Sequence, residues 1–107
     1  MRNILFKAKF GESWIQFPAG DSLCIERTDD RTVCEYTGLE VKGQRLFEND
    51  KFVYKSESSE FESYVVFRVG AFGFIDGDKF VSFASMGLLL EDFLNHITIT
   101  GNIHDTD

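Results

Sequence analysis

The chain has 107 residues, 43% of them apolar and 27% charged, and two cysteines; that suits one domain, 1–107, whose core needs no disulfide or metal staple. Its net charge of −7 opposes a phosphate backbone and disfavours nucleic-acid binding, although the charge is uneven: +2 over 1–20, −5 over 21–62 and −4 over 63–107. No apolar run approaches a membrane span, and MRNILFKAKF lacks the apolar stretch of a secretion signal, so the expectation is a cytoplasmic protein with no membrane partner and reduced thiols.

NILFKAKF sets Ile4, Phe6 and Ala8 against Leu5, Lys7 and Lys9, a strand pattern, and SWIQF (13–17) is a second short strand. PAGD makes a turn. SLCIER and TVCEYT then form a hairpin around Asp29-Asp30, with Cys24 and Cys34 on its two sides, each expected as a buried free thiol. Thr37-Gly38-Leu39 ends that strand and Lys42-Gly43 is a turn. Asn49-Asp50 leads into the strand KFVYK, with Asp50 as the turn-capping carboxylate. Lys55 to Ser63 is polar and serine-rich, a mobile loop by composition.

YVVFRV (64–69) is a strand, and Gly70 starts a tight return through AFGF. Asp76-Gly77 is a hairpin signal between two further strands. Met86, Leu89, Leu90, Phe93, Leu94 and Ile97 follow three-and-four spacing, which predicts a helix of two to three turns with Ser85 as N-cap and Gly87 weakening its first turn. ITITGNI (97–103) is a last strand broken at Gly101. The fold class expected is mainly β, or β-rich α+β: an SH3-like small barrel or curved antiparallel sheet of about eight short strands, with one short helix in the C-terminal half. Twelve phenylalanines imply an aromatic core, with some rings left for an interface.

Chemistry-bearing patterns are sparse. His96 and His104 flank the last strand, and Asp92, Asp105 and Asp107 are near them in sequence, but the spacing fits no metal motif. Asp76-Gly77-Asp78 lacks the further oxygen ligands of a calcium loop. Glu48 and Asp50 have no apolar pocket in view that would set them up as paired carboxylates. No nucleophile motif, phosphate loop or dinucleotide fingerprint is present. Phe67, Phe72, Phe74, Phe80 and Phe83 resemble a stacking platform for single strands, but only Arg68 and Lys79 lie among them, which favours core packing. The expectation is a non-enzyme without a cofactor or metal.

One long stretch, YTGLEVKGQRLFENDKF, carries Thr37-Gly38-Leu39, Gly43, Leu46-Phe47 and Asn49-Asp50 in order. It resembles the core signature of the YopX-like proteins of phages and prophages, which usually carry Gly where Asn49 stands. VVFRVGAFGF, with Gly70, is similar to that family's strand and turn, ITITGNIHD, with Gly101-Asn102, to its terminal segment, and MRNILFKAKF to its basic first strand. The resemblance implies an SH3-like β fold and a phage or prophage origin in a bacterial host, and it supplies no catalytic residue. Those motif positions read as structural. The function expected is that of an accessory protein that binds a phage or host protein, with homo-oligomerisation as a further expectation. The alternative is a nucleic-acid-binding barrel working through the basic N-terminal strand.

Overall fold

The computed structural model describes residues 4–19 and 30–105. The chain is mainly β, with antiparallel pairing throughout and one sheet curled into half a barrel. Nine strands and one α-helix occur among the described residues. Where the composition suits one domain, the contacts divide the chain into two units, Met1–Tyr36 and Thr37–Asp107.

In the first unit, the two expected strands, β1 (Leu5–Phe10) and β2 (Ser13–Pro18), pair as a hairpin, with Lys9 opposite Trp14 and Lys7 opposite Gln16. A 3₁₀ turn over Asp30–Thr32 precedes β3 (Cys34–Val41), whose first residues pair with β1. Ala8, Phe17 and Cys34 are buried, and the Phe6 and Phe17 ring centroids lie 5.9 Å apart. The Lys9 backbone N–H donates to Thr32 Oγ1, and the Cys34 thiol donates to the Thr32 carbonyl. The strand expected at SLCIER, and with it Cys24, lies outside the described residues.

In the second unit, β3 continues past Gly38 to Val41 instead of ending at Leu39. The Thr37 hydroxyl makes this continuation possible: it donates to the Leu46 carbonyl at 2.7 Å and accepts the Leu39 N–H at 3.1 Å, bridging the positive φ of Gly38. Lys42 and Gly43, both at positive φ, form the two-residue turn into β4 (Gln44–Phe47). A five-stranded sheet follows in the order β8-β7-β6-β5-β9, comprising β5 (Asp50–Lys55), β6 (Glu60–Arg68), β7 (Ala71–Asp76), β8 (Lys79–Ser82) and β9 (Ile97–Asn102). The pairing of β5 with β9 shifts register between Lys51 and Phe52, opposite Gly101, which is the break read in ITITGNI.

The expected mobile loop at Lys55 to Ser63 is mostly strand. Only residues 56–59 turn, closed by the Ser56 N–H on the Ser59 carbonyl, and β6 begins at Glu60. The serines concealed a period-2 pattern in which Phe61 and Val65 face the core and Glu60, Glu62 and Tyr64 face solvent.

The helix is also shifted. Ser85 caps nothing; it lies in a 3₁₀ turn, Ala84–Met86, where its hydroxyl donates to the Ser82 carbonyl and its N–H meets Ser82 Oγ. Gly87, at φ 56°, breaks the path, and α1 runs Leu89–Asn95 without a side-chain cap. Phe93 is its buried residue.

The core of this unit is Val41, Leu46, Phe52, Val65, Phe74, Phe83, Phe93 and Ile97. Gly73 allows the closest backbone approach: a Cβ there would lie 2.1 Å from the Val81 carbonyl oxygen. At the tip joining β6 and β7, Val69 is fully exposed and holds φ 51°. A β-branched residue is strained in that region. Val69→Asn, with the residue best suited after glycine, is expected to stabilise by about 1 kcal/mol and to raise the thermal midpoint by about 4 °C. An unchanged or lower midpoint in differential scanning calorimetry would show that the strain is absent.

Candidate functional site

Two arrangements in the second unit bring together polar or aromatic side chains from distant parts of the chain. The first is a buried polar knot where β4 meets β5 and β9. Asp50 and Asn102 are 1% and 2% exposed. Asp50 Oδ2 accepts the Phe47 N–H at 2.8 Å, and its Oδ1 accepts from Asn102 Nδ2 at 2.9 Å. The same Asn102 amide reaches the Glu48 carbonyl at 3.4 Å, and its Oδ1 accepts the His104 N–H at 3.0 Å. Asp105 Oδ2 accepts the Asn102 N–H at 2.8 Å. The Asn49 N–H donates to the Val65 carbonyl, and the Asn49 carbonyl accepts the Ile103 N–H.

Every motif position of the opening signature is thereby placed. Thr37 bridges β3 and β4. Gly38 and Gly43 take positive φ, and Leu39 packs against the core. Leu46 and Phe47 are fully buried. Asn49 holds φ 70°, which suits an Asn where glycine would serve. Gly70 completes the β6–β7 turn. Gly101 lies at the register shift, with Asp105 close above it. The knot joins Asp50 to Asn102, residues that no local spacing connects. Its hydrogen bonds are turned inward on the backbone, which is the geometry of a structural clamp.

The second arrangement is an aromatic cleft of about 300 Å³, open to solvent, lined by Tyr54, Phe61, Phe74, Asp76, Met86, Leu89, Asp92 and Phe93. Four rings form its wall and lie nearly parallel. Tyr54 stacks on Phe61 at 5.1 Å and on Phe93 at 5.4 Å, and Phe74 stacks on Phe93 at 4.9 Å and on Phe61 at 6.0 Å. Phe52 lies edge-on to Phe61, Phe74 and Phe93. Such offset and T-shaped contacts complement the negative face and positive edge of each ring.

Two carboxylates, on Asp76 at the end of β7 and Asp92 in α1, edge the cleft. Asp92 Oδ1 lies 3.7 Å from His96 Nδ1, and that nitrogen lies 2.7 Å from the Asp92 carbonyl oxygen, so it carries the proton and donates. Lys79 stands opposite Asp76 across β7 and β8, but the Asp76 carboxylate makes no ion pair among the described residues.

The stacking platform weighed from sequence is not assembled as one surface. Phe74 and Phe83 are buried, Phe72 packs against the core, and Phe80 alternates to the opposite face from Phe74. His96 ends α1 and His104 joins the knot through its backbone. No group of three or more His, Cys, Asp or Glu able to hold a metal occurs among the described residues, and none of their helices is long and apolar enough to cross a membrane.

Sequence reasoning missed the cleft because its walls come from three hairpin strands and a helix whose register Gly87 resets. The available signal was the alternation of Phe61 with Glu60 and Glu62, continued by Tyr54 opposite Phe61. Fold and cleft together define a small antiparallel β protein with an aromatic, acid-edged recess. No family model, curated protein or solved structure matches the chain.

Proposed function

We propose that the protein is a protein–protein interaction module rather than an enzyme, acting in the cytoplasm of a bacterial host as a phage- or prophage-encoded accessory protein. The cleft carries this reading: an open aromatic recess whose lip presents Leu89, with Leu88 fully exposed beside it. Exposed leucines next to a concave aromatic surface are typical of a face that a partner covers. The ordered resemblance to YopX-like proteins supports the phage origin and indicates infected cells as the place to look. Self-association is part of the reading, since closed homo-oligomers are common among small soluble proteins.

The test is affinity capture from infected-cell lysate with and without nuclease, using the wild type and a Leu88→Ser/Leu89→Ser variant. The expected result is a stoichiometric protein that survives nuclease and is lost by the double variant. A wild type that retains only nuclease-sensitive material would overturn the reading.

A second reading, nucleic-acid binding through β1, has one observation in its favour. Lys7 Nζ lies 4.8 Å and Lys9 Nζ 6.0 Å from the Trp14 ring centroid, a pairing of cations with an aromatic. Lys9 is only 9% exposed, which leaves little of it for a phosphate, so this reading ranks second.

A further inference from the structure

We propose that the aromatic cleft receives a lysine or arginine side chain carried by a segment of a partner protein. This rests on the interaction reading and specifies the chemistry of the partner. The first observation is the wall itself. Tyr54 and Phe61 are half-buried and stacked, so their rings combine an ordered position with access from solvent. A cation beside such rings is attracted by their quadrupoles, and the long apolar stem of lysine or arginine fills a recess lined by Met86 and Leu89.

The second observation is charge. Asp76 and Asp92 are both exposed and both line the cleft, one from the sheet and one from the helix. The segment from Phe83 to His96, which contains the helical wall, holds Glu91 and Asp92 and no lysine or arginine. Residues 37–107 carry twelve acidic and six basic side chains. Two basic side chains lie by the lining residues: His96, beside Asp92 and 5.9 Å from the Tyr54 ring, and Lys79, opposite Asp76 in the pairing of β7 with β8. Neither replaces an incoming cation, since His96 is committed to the Asp92 carbonyl and Lys79 forms no ion pair with Asp76. An apolar ligand would leave both carboxylates unused, and an anionic one would be repelled by them. A basic side chain satisfies the rings and the carboxylates together.

The measurement is an NMR titration of the amide-labelled protein with acetyl-Gly-Arg-Gly-amide and acetyl-Gly-Lys-Gly-amide. The citrulline peptide, which has the shape of the arginine peptide without its charge, is the control, and spermidine and protein dilution are separate arms. The expected result is shifts clustered at Tyr54, Phe61, Asp76, Met86 and Asp92, with binding weakened roughly tenfold by citrulline and by the Asp76→Asn/Asp92→Asn variant. Both substitutions are exposed and nearly isosteric, so the variant should keep the wild-type spectrum elsewhere. Equal binding of the citrulline peptide, unchanged binding by the variant, or shifts centred outside the cleft would overturn the proposal. Spermidine that saturates the cleft below the peptide concentration would overturn its protein source, and shifts at the cleft on dilution alone would assign the face to a second copy. If the affinity capture above still retains its partner with the Asp76→Asn/Asp92→Asn variant, the interaction reading stands and this proposal falls.

Discussion

Asn102→Ala is expected to destabilise the protein by about 3 kcal/mol, seen as a lower urea midpoint at constant slope. The reason is the density of bonds on one small side chain. Its amide nitrogen supplies Asp50 Oδ1 and reaches the Glu48 carbonyl, and its oxygen receives the His104 N–H. Truncation removes all of these at a position 2% exposed, where water does not readily replace them. Asn102→Asp is expected to cost more, because it sets a carboxylate against the Asp50 carboxylate at hydrogen-bond distance.

The reversed pair, Asp50→Asn with Asn102→Asp, is the decisive comparison. Asn at position 50 can still accept the Phe47 N–H through its oxygen while donating to an Asp at 102. That Asp can accept the His104 N–H, and the Glu48 carbonyl loses this donor. The reversed pair should therefore recover about half of the Asn102→Asp loss, a coupling that a double-mutant cycle reads directly. An Asn102→Ala midpoint within experimental error of the wild type would show that the knot does not hold β5 to β9.

Phe52→Ala is expected to cost about 4 kcal/mol. Phe52 is 1% exposed and presents its ring edge-on to three of the four cleft-wall aromatics, each centroid within 6.4 Å. Its loss removes the buried area and also leaves Phe61, Phe74 and Phe93 without the ring that meets them edge-on. Against a typical domain stability of about 5–15 kcal/mol, the variant would lie near the folding limit. Phe52→Leu, which keeps most of the volume, should cost only about 1.5 kcal/mol. Guanidinium unfolding of the two variants tests this; an alanine variant no worse than the leucine one would mean that the rings rest on something other than Phe52.

How legible each element was from its residues depended on its turns and on what occupies its exposed face. Strands flanked by glycine turns, such as Tyr64 to Ile75, declare themselves through alternation and punctuation, and Asp50 declares itself as a cap by following Asn49. The strand from Glu60 was concealed by serines, since residues favoured in loops can occupy the solvent face of a strand without changing its pairing. The helix start was misplaced because three-and-four spacing continues across Gly87 in sequence but not in space. Asn102 carried no local signal at all. Its partner is 52 residues away, and only the pairing of β5 with β9 brings them together.

That pairing has a consequence for how the chain emerges from the ribosome. β5 lies between β6, its immediate successor, and β9, more than forty residues later. Its first neighbour can dock as soon as the hairpin is made. Its second cannot until residues 97–102 have left the exit tunnel, so one edge of β5 stays open through much of synthesis. Open edges recruit strands from other nascent chains. Lys51 and Lys55, both exposed and near the two ends of this strand, set like charges against each other when two copies of the open strand meet, and so act as gatekeepers during that interval.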